Sequence, residues 1–161
     1  MLKTAYQNRD SKLETSGKII GCYEREFYCF SNFSSFGVKW KGRYWQTSEH
    51  AYQAAHFFKT APKLAEKIFK AQSAHEAYKL AKANGDKAPK NWEEIKVGIM
   101  EDIVRHKLKQ NSYVLHKLLQ TGKRLIVEDS PKDACWGWGK DRKGRNELGK
   151  IWMKLRNEII K

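Results

Sequence analysis

No stretch of the sequence approaches the ~18 consecutive apolar residues that a membrane-spanning helix requires, so no membrane partner is expected. The N-terminal MLKTAYQNRDSKLETSGK has no apolar core of the kind a secretory leader carries. Cysteine is scarce, and Cys22, Cys29 and Cys135 form neither a CxxC pair nor a Cys/His metal spacing. Their odd number argues against a disulfide framework and suits a reducing, cytoplasmic setting. The three prolines, Pro62, Pro89 and Pro131, fall where helices start or loops run. There is no internal repeat, no low-complexity block, no phosphate-binding glycine loop and no dinucleotide fingerprint. His50, His56, His75, His106 and His116 show no metal-ligand pairing. Acidic residues are also short: 18 Asp and Glu face 32 Lys and Arg, a net charge of +14.

What is present can fold. The 161 residues suit one domain, and 40% hydrophobic residues with six tryptophans can fill a core. That composition excludes a disordered basic tail. The surplus positive charge is expected to meet something anionic. Residues 1–18 read as a loose lead-in and 19–161 as a single, helix-dominated α+β domain with a small β-sheet.

Between Gly21 and Trp45 the chain is aromatic and β-leaning, with a hairpin over 38–45 that turns at Lys41-Gly42. Thr47 is placed to cap a helix reaching about Lys59, and Pro62 to open the next. Ser73 caps a short helix that Gly85 ends. Trp92, Ile95, Ile99, Met100 and Ile103 recur at helical spacing and predict a long helix over 91–109, with another at about 112–120. Leu125-Ile126-Val127 is a strand candidate, followed by some 18 residues without periodicity. A loop that long in a small domain is usually functional. Asn146 then caps a last helix whose apolar stripe is Leu148, Ile151, Trp152, Leu155 and Ile159.

Four constellations can carry chemistry. Glu49 lies in the first turn after Thr47, and Gln53 and His56 follow at i+4 and i+7 on the same face. A carboxylate there either holds a water or a sugar hydroxyl, or answers the ordinary helix-dipole preference. The dipole favours its ionised form, hence a base or electrostatic stabiliser rather than an acid. The Trp136-Gly137-Trp138-Gly139 run near Asp133 offers indoles for a nucleobase and a carboxylate for ribose, or else two indoles that plug the core. Lys140, Arg142, Lys143 and Arg145 precede the Asn146 helix and suit a phosphate at its N-terminus, or form a solvated loop. Lys96 and Lys107 fall within about 20° of each other on the apolar stripe. Such lysines either snorkel outward or are held inside to bind an anion or act as nucleophiles.

The pieces occur in a specific order. FSNF (Phe30–Phe33) precedes WQTSEH (Trp45–His50) with Gln53, then Asn91-Trp92 with Lys96 and Met100. HKLKQN (His106–Asn111), LLQTG (Leu118–Gly122), Val127-Glu128, SPKDACWGWG (Ser130–Gly139) and GRNELG (Gly144–Gly149) follow. Over roughly residues 25–160 this resembles the YbiA-like, or NADAR, family.

The resemblance implies a helix-rich α+β fold and hydrolysis of an N-glycosidic bond to ribose, with no metal and no cofactor. The implied partner is a phosphorylated ribosyl substrate, such as a ribosylamino-pyrimidine phosphate of riboflavin biosynthesis, or ADP-ribosylated nucleic acid. It implies Glu49 as the first catalytic candidate, with Asp133 and Lys107 beside it. Ser31, Asn32, Phe33, Gln53, Trp92, Lys96, Trp136, Gly137, Trp138, Arg142, Arg145 and Asn146 are the expected substrate contacts. His56 stands where relatives are expected to carry a lysine, and Trp138 where they can carry a smaller residue. A non-catalytic nucleotide reader and a plain basic nucleic-acid binder are the alternatives. The latter would show steep salt dependence.

Overall fold

Strand β1 (Ile19–Gly21) meets its partner only after most of the chain has passed, pairing in parallel with β4 (Leu125–Val127). Between them come β2 (Val38–Trp40), β3 (Arg43–Trp45), α1 (Ser48–Ala55), α2 (Pro62–Phe69), α3 (Ala74–Lys82), α4 (Trp92–Gln110) and α5 (Ser112–Gln120). Helix α6 (Glu147–Ile160) closes the order. This is a computed structural model, and it describes residues 17–22 and 25–161. The expected lead-in, apart from the exposed Gly17 and Lys18, lies outside the described residues.

The chain divides into two units. One runs from Asn32 to Ser112. Its hairpin pairs Val38 with Trp45 and Trp40 with Arg43, and positive φ at Lys41 (48°) and Gly42 (76°) gives the turn a twist that matches its strands. Helix α1 packs on α2, α3 and α4, while α4 also packs on β2. Trp45 is the pivot of this core, with its indole edge-on to Phe69 at 5.1 Å and its N–H donating to the Trp40 carbonyl.

The second unit joins the segment ending at Ser31 to Tyr113–Lys161. Helix α6 packs on β4 and buries Leu148, Ile151, Trp152 and Leu155. Trp152 lies 4.8 Å from Phe30, and its indole N–H donates to the Phe30 carbonyl.

Several expectations are corrected. The aromatic stretch Arg25–Phe30 is a 3-10 helix rather than strand, because Phe27 and Phe30 bury on one side at an i, i+3 spacing. Helix α1 ends at Ala55, four residues early, where the chain passes into turns. Helix α3 ends at Lys82, and Gly85 begins a 3-10 turn (Gly85–Lys87) instead of ending the helix. On α4 the buried stripe takes in Lys96 and Lys107, while Ile95 is exposed. Ile159 is likewise exposed, beyond the last turn of α6 that meets the core.

Candidate active site

Helix α1 begins at Thr47, whose extended backbone (φ −142°, ψ 162°) lets its hydroxyl oxygen accept the His50 N–H. The His50 ring closes the cap. Its Nε2 lies 3.1 Å from the Ala71 carbonyl and its Nδ1 2.8 Å from the Thr47 hydroxyl. A carbonyl only accepts, so Nε2 carries the proton and Nδ1 accepts from Thr47. Thr47→Ala removes both bonds. An unfolding titration should show a loss of about 1–2 kcal/mol, which Thr47→Ser largely restores.

Glu49 is one residue into that turn and buried. Its backbone N–H donates to the Asn32 carbonyl at 3.0 Å, and its Oε1 accepts from Gln53 Nε2 at 2.6 Å. The i, i+4 spacing thus puts an amide donor on the carboxylate. His56 does not join them. Its ring lies 3.8 Å from Trp92 and edge-on to Tyr52 at 5.0 Å. Burial, and next the positive charge of Lys96, push the His56 pKa down to about 4, against a weaker pull from Glu93. At neutral pH this side chain is therefore no cation for a phosphate.

Burial lowers His50 as well, outweighing its Ala71 bond and Glu76. Both rings are neutral in the folded chain and protonate on unfolding below about pH 6.5. Stability is therefore whole above pH 6.5 and falls as pH drops from there toward 4. His56 alone accounts for up to about 3 kcal/mol across that window. Urea midpoints at pH 7.5 and 4.5 should show the drop, and His56→Gln should flatten part of it.

The turn preceding β2 ties α1 to α4. Asn32 Nδ2 donates to Met100 Sδ at 3.1 Å, and Lys107 Nζ donates to Ser34 Oγ at 2.9 Å. Lys107 is fully buried, with its ammonium 5.7 Å from the Phe36 ring centre. It is held inside rather than snorkelling. Lys96 is also buried and pairs with Glu93 at 2.5 Å. The buried Oδ1 of Asn32 has no hydrogen-bond partner among the described residues.

The remaining candidates lie in the other unit. Asp133 Oδ1 accepts the N–H groups of Cys135 and Trp136 at 2.8 and 2.7 Å, so this carboxylate shapes its own loop. Gly137 passes against the chain: a Cβ there would strike the Glu128 and Asp133 carbonyls. Trp136 and Trp138 are half-buried, so neither is a complete core plug. The Trp138 indole donates to Asp129, and Arg142 lies 5.1 Å over its ring. Arg145 Nη2 reaches Cys135 Sγ at 2.7 Å.

Asn146 is a correction. It sits in the left-handed region (φ 52°, ψ 43°) and makes no side-chain cap. Its amide instead donates to the Ile126 carbonyl and accepts the Glu128 N–H, fastening α6 to β4. The first amides of α6 are also taken: Glu147 N–H by the Cys135 carbonyl and Leu148 N–H by Trp136. A phosphate near Arg142 and Arg145 must therefore be held by side chains. An open concavity of about 550 Å³ nearby is lined by Pro131, Lys132, Ala134, Gly139, Lys140 and Asp141, of which only Lys140 belongs to the basic run read as a phosphate candidate.

A family model described as the NADAR domain matches residues 21–160. The chain belongs to the NADAR family. An N-glycosidase of Nostoc punctiforme is 37% identical over 132 residues, covering 81% of this chain and 85% of the relative. The N-glycosidase YbiA of Escherichia coli is 35% identical, covering 81% and 80%. A riboflavin biosynthesis protein of Vibrio vulnificus is 40% identical over 80% of this chain, which spans only 35% of that protein. The NMR structure of E. coli YbiA superposes with a TM-score of 0.81 at 34% identity, over 89% of this chain and 86% of that one. The helix-dominated α+β fold of this NADAR domain is therefore the YbiA fold.

Within residues 32–112 the NADAR domain brings Asn32, Glu49 and Gln53 into one bonded chain, with Ser34 and Lys107 fastening the same turn. Ser31, buried with its N–H on the Tyr28 carbonyl, belongs to the other unit with the tryptophan loop. Ser34 and Asp129 escape a reading of the sequence. Nothing distinguishes Ser34 from Ser35, whereas a pair of carboxylates after the apolar strand β4, of which Asp129 is the second, was a legible signal.

Among the described residues no group of His, Cys, Asp and Glu could hold a metal ion. No helix there is long and apolar enough to cross a membrane.

Proposed function

We propose that this NADAR domain hydrolyses an N-glycosidic bond to ribose, with Glu49 as the carboxylate at the reacting centre. The observation that carries the reading is the buried Glu49, whose carboxylate accepts the Gln53 amide while its backbone N–H is held by the Asn32 carbonyl. Cleavage of a C1′–N bond builds positive charge on the ribose, which an ionised carboxylate stabilises. The same group can draw a proton from an incoming water as the new C1′–O bond forms. The bond pair leaves with the base nitrogen, which then takes up a proton. The names of the curated relatives support the activity.

Gln53 holds the carboxylate in this scheme and the Asn32 carbonyl holds the Glu49 backbone N–H, while Trp92, already packed on Tyr52 and His56, offers an aromatic wall. We assign Lys107 to positioning: its ammonium holds the Ser34 turn that carries Asn32. In the other unit Asp133 positions the Trp136 loop, with Arg142 over the Trp138 ring and Arg145 on Cys135. Two substrates fit this chemistry: a ribosylamino-pyrimidine phosphate, favoured by the name of the Vibrio relative, and ADP-ribosylated nucleic acid, favoured by the net charge of +14. Purified protein should be offered both and the products followed by mass spectrometry. Free base or released ADP-ribose is expected from at least one. Binding without release from either would overturn the enzymatic reading in favour of a reader.

A further inference from the structure

Residues 61–90 hold seven lysines against three acidic residues, more positive charge than one phosphate ester requires. Two of those acids are already engaged. Glu66 pairs with Arg43 and Lys70, and Glu76 turns back to the Gln72 N–H at the start of α3. Helix α3 buries Ala74, Ala77 and Ala81, small side chains that let it lie close to α1. The surface it leaves outward carries His75, Tyr78, Lys79 and Lys82, all exposed.

At i, i+3 and i+7 the outward residues His75, Tyr78 and Lys82 form a row. The His75 and Tyr78 rings lie 6.4 Å apart with planes 21° from parallel, and the Lys82 ammonium is 5.6 Å from the Tyr78 ring centre. Phe33 extends the row from another element, 6.4 Å from Tyr78. Its backbone is pinned on both sides, by the Asn32 carbonyl on Glu49 N–H and by Ser34 Oγ on Lys107. A turn held that firmly nonetheless leaves Phe33 37% exposed, the same fraction as Tyr78. Exposed aromatic side chains in contact mark an interaction surface. The charge around them selects the partner, since Lys79 and Lys82 share their helix face while Glu76 is engaged by the Gln72 N–H.

We propose that His75, Tyr78 and Phe33, with Lys79 and Lys82, form a platform on which bases of a single-stranded nucleic acid stack while the lysines meet its phosphates. Every base has a π-face, so such a surface is tolerant of sequence and needs unpaired bases. The platform begins one residue from Asn32, whose carbonyl accepts the Glu49 N–H, so the turn that carries Phe33 also meets the start of the Glu49 helix. The inference extends the N-glycosidase reading by giving the nucleic-acid substrate proposed above a surface of its own, and it rests on that reading only in this respect.

Fluorescence anisotropy with a short labelled oligothymidylate, at one fixed salt concentration, tests it without turnover. Tyr78→Ala should weaken binding about tenfold, Tyr78→Leu by a similar factor because it keeps bulk without a π-face, and Tyr78→Phe hardly at all. Binding to a duplex of equal length, which offers phosphates and no free bases, should be unaffected by these variants. If Tyr78→Ala and Tyr78→Leu bind the single strand as wild type does, or weaken strand and duplex alike, the platform is overturned. A protein that releases base from a small ribosyl phosphate yet ignores the strand overturns the platform alone. One that binds the strand with this Tyr78 signature and releases base from nothing overturns the N-glycosidase reading alone.

Discussion

Glu49→Gln is expected to fold as the parent does and to release base about 10²–10⁴-fold more slowly. The substitution keeps the side-chain shape, and the new amide oxygen can still accept from Gln53 Nε2. The helix start is untouched, because Thr47 caps it and the Asn32 carbonyl is met by the backbone N–H, not the side chain. On the proposed mechanism, what is lost is the negative charge that stabilises the developing cation and the site that takes the water proton. Matched melting curves with wild-type turnover would remove Glu49 from the reacting centre. The loss should appear in kcat more than in KM, since the charge acts mainly in the transition state.

The second large effect is on stability and reverses sign between two glycines. Gly149 sits in the first turn of α6, where an added Cβ would collide with the Ile126 carbonyl and the Asn146 amide. Neither can retreat cheaply, since the Asn146 side chain itself holds Ile126 and Glu128. Gly149→Ala should cost on the order of 3 kcal/mol by forcing α6 off β4. Gly98, exposed on α4 with open space around its missing Cβ, should respond oppositely. Gly98→Ala is expected to stabilise by about 0.5–1 kcal/mol, because alanine loses less backbone freedom in a helix. Chemical denaturation of both variants checks the pair. A destabilised Gly98→Ala, or an unaffected Gly149→Ala, would contradict the packing described.

Regular helices were legible because their signals are local. The Thr47, Pro62 and Ser73 starts and the apolar spacing of α4 depend only on near neighbours. The same holds for Gln53 on Glu49, four residues apart on one helix. What could not be read depends on partners far along the chain. Strand β1 is three residues long and exists because β4 pairs with it. Lys107 has the look of a snorkelling lysine until Ser34, 73 residues earlier, supplies its acceptor. Asn146 has the sequence look of a helix cap, yet β4 claims its side chain. The basic run before α6 suggested a helix-end phosphate site, whereas loop carbonyls had already taken those amides.

The parallel pairing of Ile19–Gly21 with Leu125–Val127 also orders events on the ribosome. At about 5–20 residues per second, roughly five to twenty seconds of synthesis separate β1 from its partner. The continuous segment from Asn32 to Ser112 can close its own contacts within that interval. Throughout it, the earlier segment waits with its strand edge bare. A nascent chain stalled before Val127 is therefore expected to expose Ile20 and Phe30, which the finished protein buries.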